Sequence, residues 1–547
     1  MSQSGFLSRF ARALGAPCLV AATLAVAACG GAGDEIEYGD LLRRGISVNP
    51  DTVDPHKASG QWENIVIGDM FEGLYITDKS GEAVLGAASS ASLDETQTVW
   101  TFELKDATWS DGEPVTADDF VFAFRRLQDP ETAAQYASLL WVVKNARAVN
   151  QGERPPEDLG VRAIDPRTLG IELEYPAPYL PGLLSHYASF PVPRHVVEAH
   201  GDAWVRPENI EVNGPYKLVD WTVGSSLVAV KNDAWEGTES LCFDSVAYLP
   251  IVDNAAVERA IEAGELDTNN AFEGARMAEI EERLPGWVRT DPSLTTTYWV
   301  YDTTQPPFDD LRVRRALSMA LDREYMVENV LTPGYMPAYS FVPPGIANYV
   351  PDAAQPQLDW AGMDRAERLV EARRLLEEAG YGPDRPLRFE FIYRNSGDAP
   401  KTAPVALSNW TEIADWVRPE LLMQDTKVLY ARLRQKDFQF SDAGWVADFN
   451  DPHNFLYLLE TDTGQMNYGS YSNPEFDRLL TASNTELDLE QRAQLLAQAE
   501  ETMLADEPLA PMFFSVNRNL VDPELTGWED NVLDVHRSRY LCRPGLE

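Results

Sequence analysis

Positive charge is what this sequence has least of. Its 547 residues carry 87 Asp and Glu against 45 Lys and Arg, a formal −42. A surface that negative repels nucleic-acid phosphates and anionic lipid headgroups, which excludes sequence-independent binding to either. Histidine is scarce too: the six lie at 56, 186, 195, 200, 453 and 536, none spaced i, i+4 to share a helical face as metal ligands. The phosphate-cradling G-x-x-x-x-G-K-S/T, the G-x-G-x-x-G turn, the zincin H-E-x-x-H and the G-x-S-x-G elbow are all missing. Nothing points to covalent catalysis, a metal or a cofactor. Carboxylates are so common here that a chance pair is no argument for a glycosidase. No repeat of fixed period and no long low-complexity linker divides the chain.

The apolar run from Leu14 to Ala28 is shorter than the ~18–20 residues a membrane-spanning helix needs. Preceded by Arg9 and Arg12, it has the layout of a signal peptide. Val26-Ala27-Ala28-Cys29 resembles a lipobox, in which cleavage leaves a diacylated Cys29, and Gly30 to Glu35 suits a flexible tether. Losing residues 1–28 removes Arg9 and Arg12, leaving 43 basic residues against 87 acidic ones, a formal −44. Of four cysteines, Cys18 goes with the leader and Cys29 carries lipid. Cys242 and Cys542 remain as an even pair, candidates in an exported protein for one disulfide tying the C-terminal tail to a mid-chain strand.

What is present suffices for a large core, with 44% hydrophobic and 10% aromatic residues. A single core rarely grows beyond ~250–300 residues, so two or more lobes are expected. Thr98 to Leu104 alternates like a strand, and Trp109-Ser110-Asp111-Gly112 then turns into a helix capped by Thr116, with Phe120, Val121, Phe124 and Leu127 at helical spacing. Further helices are predicted from Asp310, from about Met363 to Ala379 before Gly380, and from about Leu487 to Ala505 before Pro508. Strands are predicted over Ser226–Val230, Val246–Ile251, Thr296–Tyr301 and Arg388–Tyr393. The mixture reads as α/β lobes.

Six stretches in order carry a resemblance: Asp54-Pro55-His56-Lys57, Phe71-Glu72-Gly73-Leu74, Trp109 to Phe120, Asn213-Gly214-Pro215-Tyr216, Arg312 to Leu317, and Gly444-Trp445-Val446-Ala447-Asp448. Together the chain from about residue 45 to 540 resembles the periplasmic oligopeptide- and dipeptide-binding proteins of peptide ABC transporters. The resemblance implies an α/β fold of two lobes joined by a hinge, the large form of the periplasmic-binding-protein fold, with a ligand enclosed between them. Lobe 1 is expected from 45–80, 205–290 and 510–547, an extra subdomain from 81–204 and lobe 2 from 291–509, after a leader over 1–28 and a lipidated tether over 29–44. The implied partners are a short peptide and the ABC permease subunits, with a lipid anchor, no nucleic acid and a monomeric state.

The resemblance also implies a site. An extended peptide would add as a strand beside Gly444, Trp445 and Val446, opposite a loop at Gly60-Gln61-Trp62, and Asp448 would meet its ammonium. Tyr136 matches a tyrosine near the ligand's amino end, while His186, Asn270 and Tyr298 match pocket-lining residues, and Trp445 offers a rigid pocket wall. Arg394 falls where dipeptide-binding relatives hold the carboxylate, a task suited to a guanidinium fork. Asp442 is a departure, because relatives carry an arginine there, and the position near Leu433 is not basic either. Peptide length therefore stays open, with tolerance of, or preference for, cationic side chains expected. Three alternatives remain: a same-fold receptor for a nickel chelate, haem, oligosaccharide or opine; an exported carboxylate-pair hydrolase; and a signalling lipoprotein.

Overall fold

A computed structural model describes residues 39–331 and 333–546. The expected leader over 1–28, Cys29 and the tether as far as residue 38 lie outside the described residues. The main sheet is built from β1 (Leu41–Ile46), β2 (Tyr216–Thr222), β3 (Ser226–Lys231), β4 (Ser245–Pro250), β5 (Thr268–Asn269), β6 (Val288–Tyr301), β7 (Leu387–Arg394), β8 (Val417–Gln424), β9 (Phe440–Val446) and β10 (Leu509–Val521). Their order is β8-β7-β9-β6-β10-β5-β1-β4-β3-β2, and the short strand Met336–Pro337 also pairs with β10. β1 runs parallel to β4 and β5, and β7 parallel to β8 and β9; the other neighbours are antiparallel. The folded body begins by Leu41, inside the 29–44 stretch expected to be tether, because Leu42 and Ile46 are wholly buried against these neighbours.

Two strands tie everything together. β6 and β10 pair twice, 288–292 with 516–520 and 296–300 with 509–514, with an irregularity between Pro292 and Thr296. On one side lies a core drawn from residues 42–248, joined by Phe449, Val521, Leu525 and Leu541. On the other lies a second core drawn from residues 294–513. Two cores bridged by a continuous sheet give the two-lobed α/β fold that the sequence predicts. The sequence pattern shows only the second half of β6, since Asp291-Pro292 interrupts its alternation.

A separate four-stranded antiparallel sheet runs in the order Ala88–Leu93, Val99–Leu104, Thr168–Glu172, Val161–Asp165, and the helix Ala117–Gln128 packs on it. That helix starts as predicted, with Asp119 Oδ2 accepting the Thr116 amide at 2.8 Å. Asp310 caps Leu311–Met319, and Asp364 forms a capping box with Glu367 at the head of Arg365–Glu378. Gly380 follows at φ +86°, a conformation that suits glycine. The helix expected over 487–505 spans Leu489–Asp506, capped by Asp488.

Several of the motifs that carry the resemblance are joints. Asn213 clamps the backbone of Glu72, accepting its N–H at 3.0 Å and donating to its carbonyl at 2.9 Å. Gly214 has no room for a Cβ, which would lie 2.6 Å from Met70 backbone. Arg126 holds Asp54 with two nitrogens, at 2.9 and 2.5 Å, and Trp204 Nε1 adds a third donor at 3.2 Å. Arg314, buried, donates to the carbonyls of Phe308, Asp506 and Glu507, satisfying the end of Leu489–Asp506.

Cys242 and Cys542 are bonded, with Cα atoms 5.2 Å apart across 300 residues of sequence. Cys242 sits in the loop before β4 rather than in a strand. Closing so long a loop restricts the unfolded chain strongly, so Cys542→Ser is expected to cost about 2–5 kcal/mol. Urea unfolding without reductant measures this; an unchanged midpoint would contradict it.

Candidate ligand-binding site

The strand β9 is paired in full along one edge only. Its β6 edge is complete from Phe440 to Val446, but β7 reaches only Phe440 and Ser441. Ala447 donates its amide to Leu294 of β6 at 2.8 Å. Because backbone groups alternate sides along a strand, residues 445 and 443 also face β6, whereas the groups of Gly444 and Val446 face the unpaired edge. The Val446 side chain is 64% exposed. An unpaired edge with an exposed apolar side chain is a template for one more strand.

Asp448 follows that edge. Its amide donates to Asn454 Oδ1 at 3.4 Å, and Trp445 Nε1 donates to the same oxygen at 2.7 Å, so Asn454 fixes both residues. The Asp448 carboxylate itself has no hydrogen bond or ion pair among the described residues. Burial alone pushes it up to about 7. Its charge is felt by tyrosines of both cores. Burial and then the Asp448 charge push Tyr136 up to about 12, and the same charge acts on Tyr187 and Tyr457. Tyr136 and Tyr187 belong to the first core and Asp448 to a segment of the second, so the site lies where the cores meet.

His186 joins this group, its ring 4.7 Å from Tyr136 and 4.2 Å from Tyr187. Its Nδ1 accepts the Ala188 amide at 3.2 Å, which makes Nε2 the protonated nitrogen, and burial followed by the Arg537 charge lowers its pKa to about 3. Trp445 is half-buried, edge-on to Tyr457 at 6.1 Å. Next to Asp448, Phe449 crosses into the first core, and Tyr179 stacks on it at 5.5 Å and on His453 at 4.9 Å.

Arg394, at the end of β7, and Asp442, on β9, form a second group. Arg394 Nε lies 3.0 Å from Asp442 Oδ2, Nη2 donates to Oδ1 at 3.4 Å, and Nη1 donates to the Tyr430 hydroxyl at 3.1 Å. Burial raises the Asp442 carboxyl to about 6, with Arg394 pulling the other way. Tyr298 lies behind this pair, buried in the second core edge-on to Phe341 at 5.1 Å, rather than lining an open pocket. Leu433 is wholly buried.

Comparison with known proteins decides the family. The model for "Bacterial extracellular solute-binding proteins, family 5 Middle" matches residues 82–467. The chain belongs to this family. As a family 5 solute-binding protein it is a binding protein, not an enzyme. It is 36% identical over 514 residues to the periplasmic oligopeptide-binding protein OppA of Escherichia coli (strain K12), covering 93% of each chain. An unliganded open form of the murein tripeptide-binding protein MppA superposes with a TM-score of 0.81 at 35% identity, over 93% of this chain and 98% of that one. Haemophilus influenzae OppA in complex with RPPGFSPFR superposes at 0.77 with 33% identity, over 93% and 100%.

Two residues predicted for the site of this solute-binding protein lie apart from both groups. Gln61 is not in a loop: it opens the helix Gln61–Met70, whose Glu63 accepts the amides of Ser59 and Gly60, and its own amide donates to Asp534 Oδ2 at 2.9 Å. Asn270 follows β5 and accepts from Ser47 Oγ at 3.0 Å. Sequence reasoning missed Tyr187, Tyr430, Tyr457 and Phe449. Tyr187 adjoins His186 and Tyr457 lies four residues after His453, a weak signal; Tyr430 lies on an amphipathic helix, Thr426–Arg434, where spacing marks only a half-buried face.

Proposed function

We propose that this chain is an extracytoplasmic receptor that encloses short peptides between its lobes and delivers them to an ABC permease. The observation that carries this reading is the unpartnered Asp448 carboxylate, set beside the unpaired edge at Gly444 and Val446 and facing Tyr136 and Tyr187 of the other core. The edge bonds the peptide backbone, which confers affinity without sequence choice, and Asp448 pairs the ammonium. His186 Nε2–H and the tyrosine hydroxyls supply neutral donors around it. Arg394 flanks the ligand farther along the edge.

In this reading lobe 1 comprises 45–80, 205–290 and 510–547 together with β1, the subdomain 81–204, and lobe 2 residues 291–509, with the hinge where β6 and β10 cross. The periplasmic location of the relatives named above supports export, and the leader and Cys29 supply it with a lipid anchor. The negative charge keeps a monomer soluble beside the membrane.

Calorimetry with a panel of di- to pentapeptides tests the function. Saturable binding with intact recovery of the peptide is expected. Absence of binding to every peptide, with a non-peptide molecule co-purifying from the native host, would overturn it.

A further inference from the structure

Arg394 is the guanidinium beside the unpaired edge, and its charge is already balanced. A Cβ on Gly444 would lie 3.5 and 3.7 Å from its two terminal nitrogens, so the fork flanks the first residue of the edge. Asp442, two residues back on the same face of β9, contacts Nε and Nη2 and is only 2% exposed. Tyr430 takes one N–H of Nη1. Arginine has five N–H donors, so one N–H on each terminal nitrogen is left for a ligand. An extended ligand advances ~3.3 Å per residue, as the strand does, and Gly444 precedes Asp448 by four positions, so about the fourth or fifth ligand residue passes the fork.

What the fork accepts depends on Asp442. A terminal carboxylate arriving there is stripped of water beside a cation whose charge is cancelled, with a second carboxylate within the same contact shell, so nothing compensates its desolvation. A peptide carbonyl carries no charge and needs only the two N–H groups. Resting on the peptide reading above, we infer that Asp442 is a specificity determinant that converts Arg394 from a carboxylate anchor into a carbonyl donor, so that the receptor accepts peptides continuing past this point and reads no C-terminus there.

Trialanine, tetra-alanine and penta-alanine, each as free acid and as C-terminal amide, test this by calorimetry on the full chain. In the wild type, acid and amide bind within about threefold of each other at every length. Asp442→Asn strengthens the free acid about tenfold at the length ending beside Arg394, leaves its amide unchanged, and loses that gain when combined with Arg394→Gln. Arg394→Gln alone weakens acid and amide alike, which keeps the test decisive if Asp442→Asn misfolds. A wild-type preference of tenfold for one free acid that Arg394→Gln abolishes overturns the inference. So does an unchanged acid-to-amide ratio in a cooperatively melting Asp442→Asn. Failure of the wild type to bind any of the six peptides overturns the peptide reading instead.

Discussion

Asp448→Asn is expected to weaken peptide binding at least tenfold near pH 7.5, about 1.4 kcal/mol. The carboxylate has no partner of its own, and burial holds its pKa at about 7, so a ligand ammonium is the charge that completes it. Binding below pH 7 must therefore expel a proton, and affinity falls by up to tenfold per pH unit toward acid. Above about pH 8 the ligand's own α-amino group loses its charge, which bends the profile down again. Calorimetry across pH 5.5–9 on both proteins checks this; an acid limb that survives in Asp448→Asn would remove Asp448 from the ammonium site. Stability supplies a control. The folded carboxyl titrates above its unfolded value of ~3.9, so its penalty on the unliganded fold is absent below that value, grows toward pH 7 and is complete above. Unliganded Asp448→Asn should thus melt no lower than the wild type, and higher at pH 8.

Asp451→Asn is expected to destabilise the fold by about 3–5 kcal/mol. Asp451 and Arg492 are both buried, and the guanidinium donates to the two carboxylate oxygens at 2.7 and 2.9 Å. Asp451 also accepts the His453 amide at 3.0 Å and Asn348 Nδ2 at 3.2 Å, while Arg492 lies over the Tyr179 ring at 5.4 Å. Removing the negative charge strands a buried cation that cannot be neutralised. Replacing both partners, as Asp451→Asn with Arg492→Met, strands no charge and should recover most of the loss. Urea unfolding measures both; a single-variant loss below about 1 kcal/mol would show that the pair is not the anchor of the 448–454 segment. Peptide affinity of the folded single variant should fall as well, because this segment positions Asp448.

The caps at Thr116, Asp310, Asp364 and Asp488 are legible in the sequence because capping is a contact within four residues. So are the strand cores, whose apolar alternation is local. Asp448 and the 444–446 edge are legible through the resemblance, which places a residue in a motif. It says nothing about what faces that residue. Tyr430 and Tyr187 reach the site across 18 and 261 residues of chain from Asp448, and no local period marks them. Gln61 resembles a loop residue in sequence because its helix follows a glycine and has no strong apolar stripe; a buried Glu63 bonding upstream amides starts that helix.

By itself the sequence determined the acidic balance, the absence of nucleotide and metal signatures, the expectation of α/β lobes and an even pair of cysteines left as candidates for a bond. Each of these follows from composition, local periodicity or counting. Only the tertiary structure decided which charges are free. Asp448 and Asp442 stand six residues apart on one segment, yet one is left without a partner and the other is paired with Arg394. The difference arises because a cation's reach is set by the strand beside it: β7 ends next to Asp442 and stops short of Asp448.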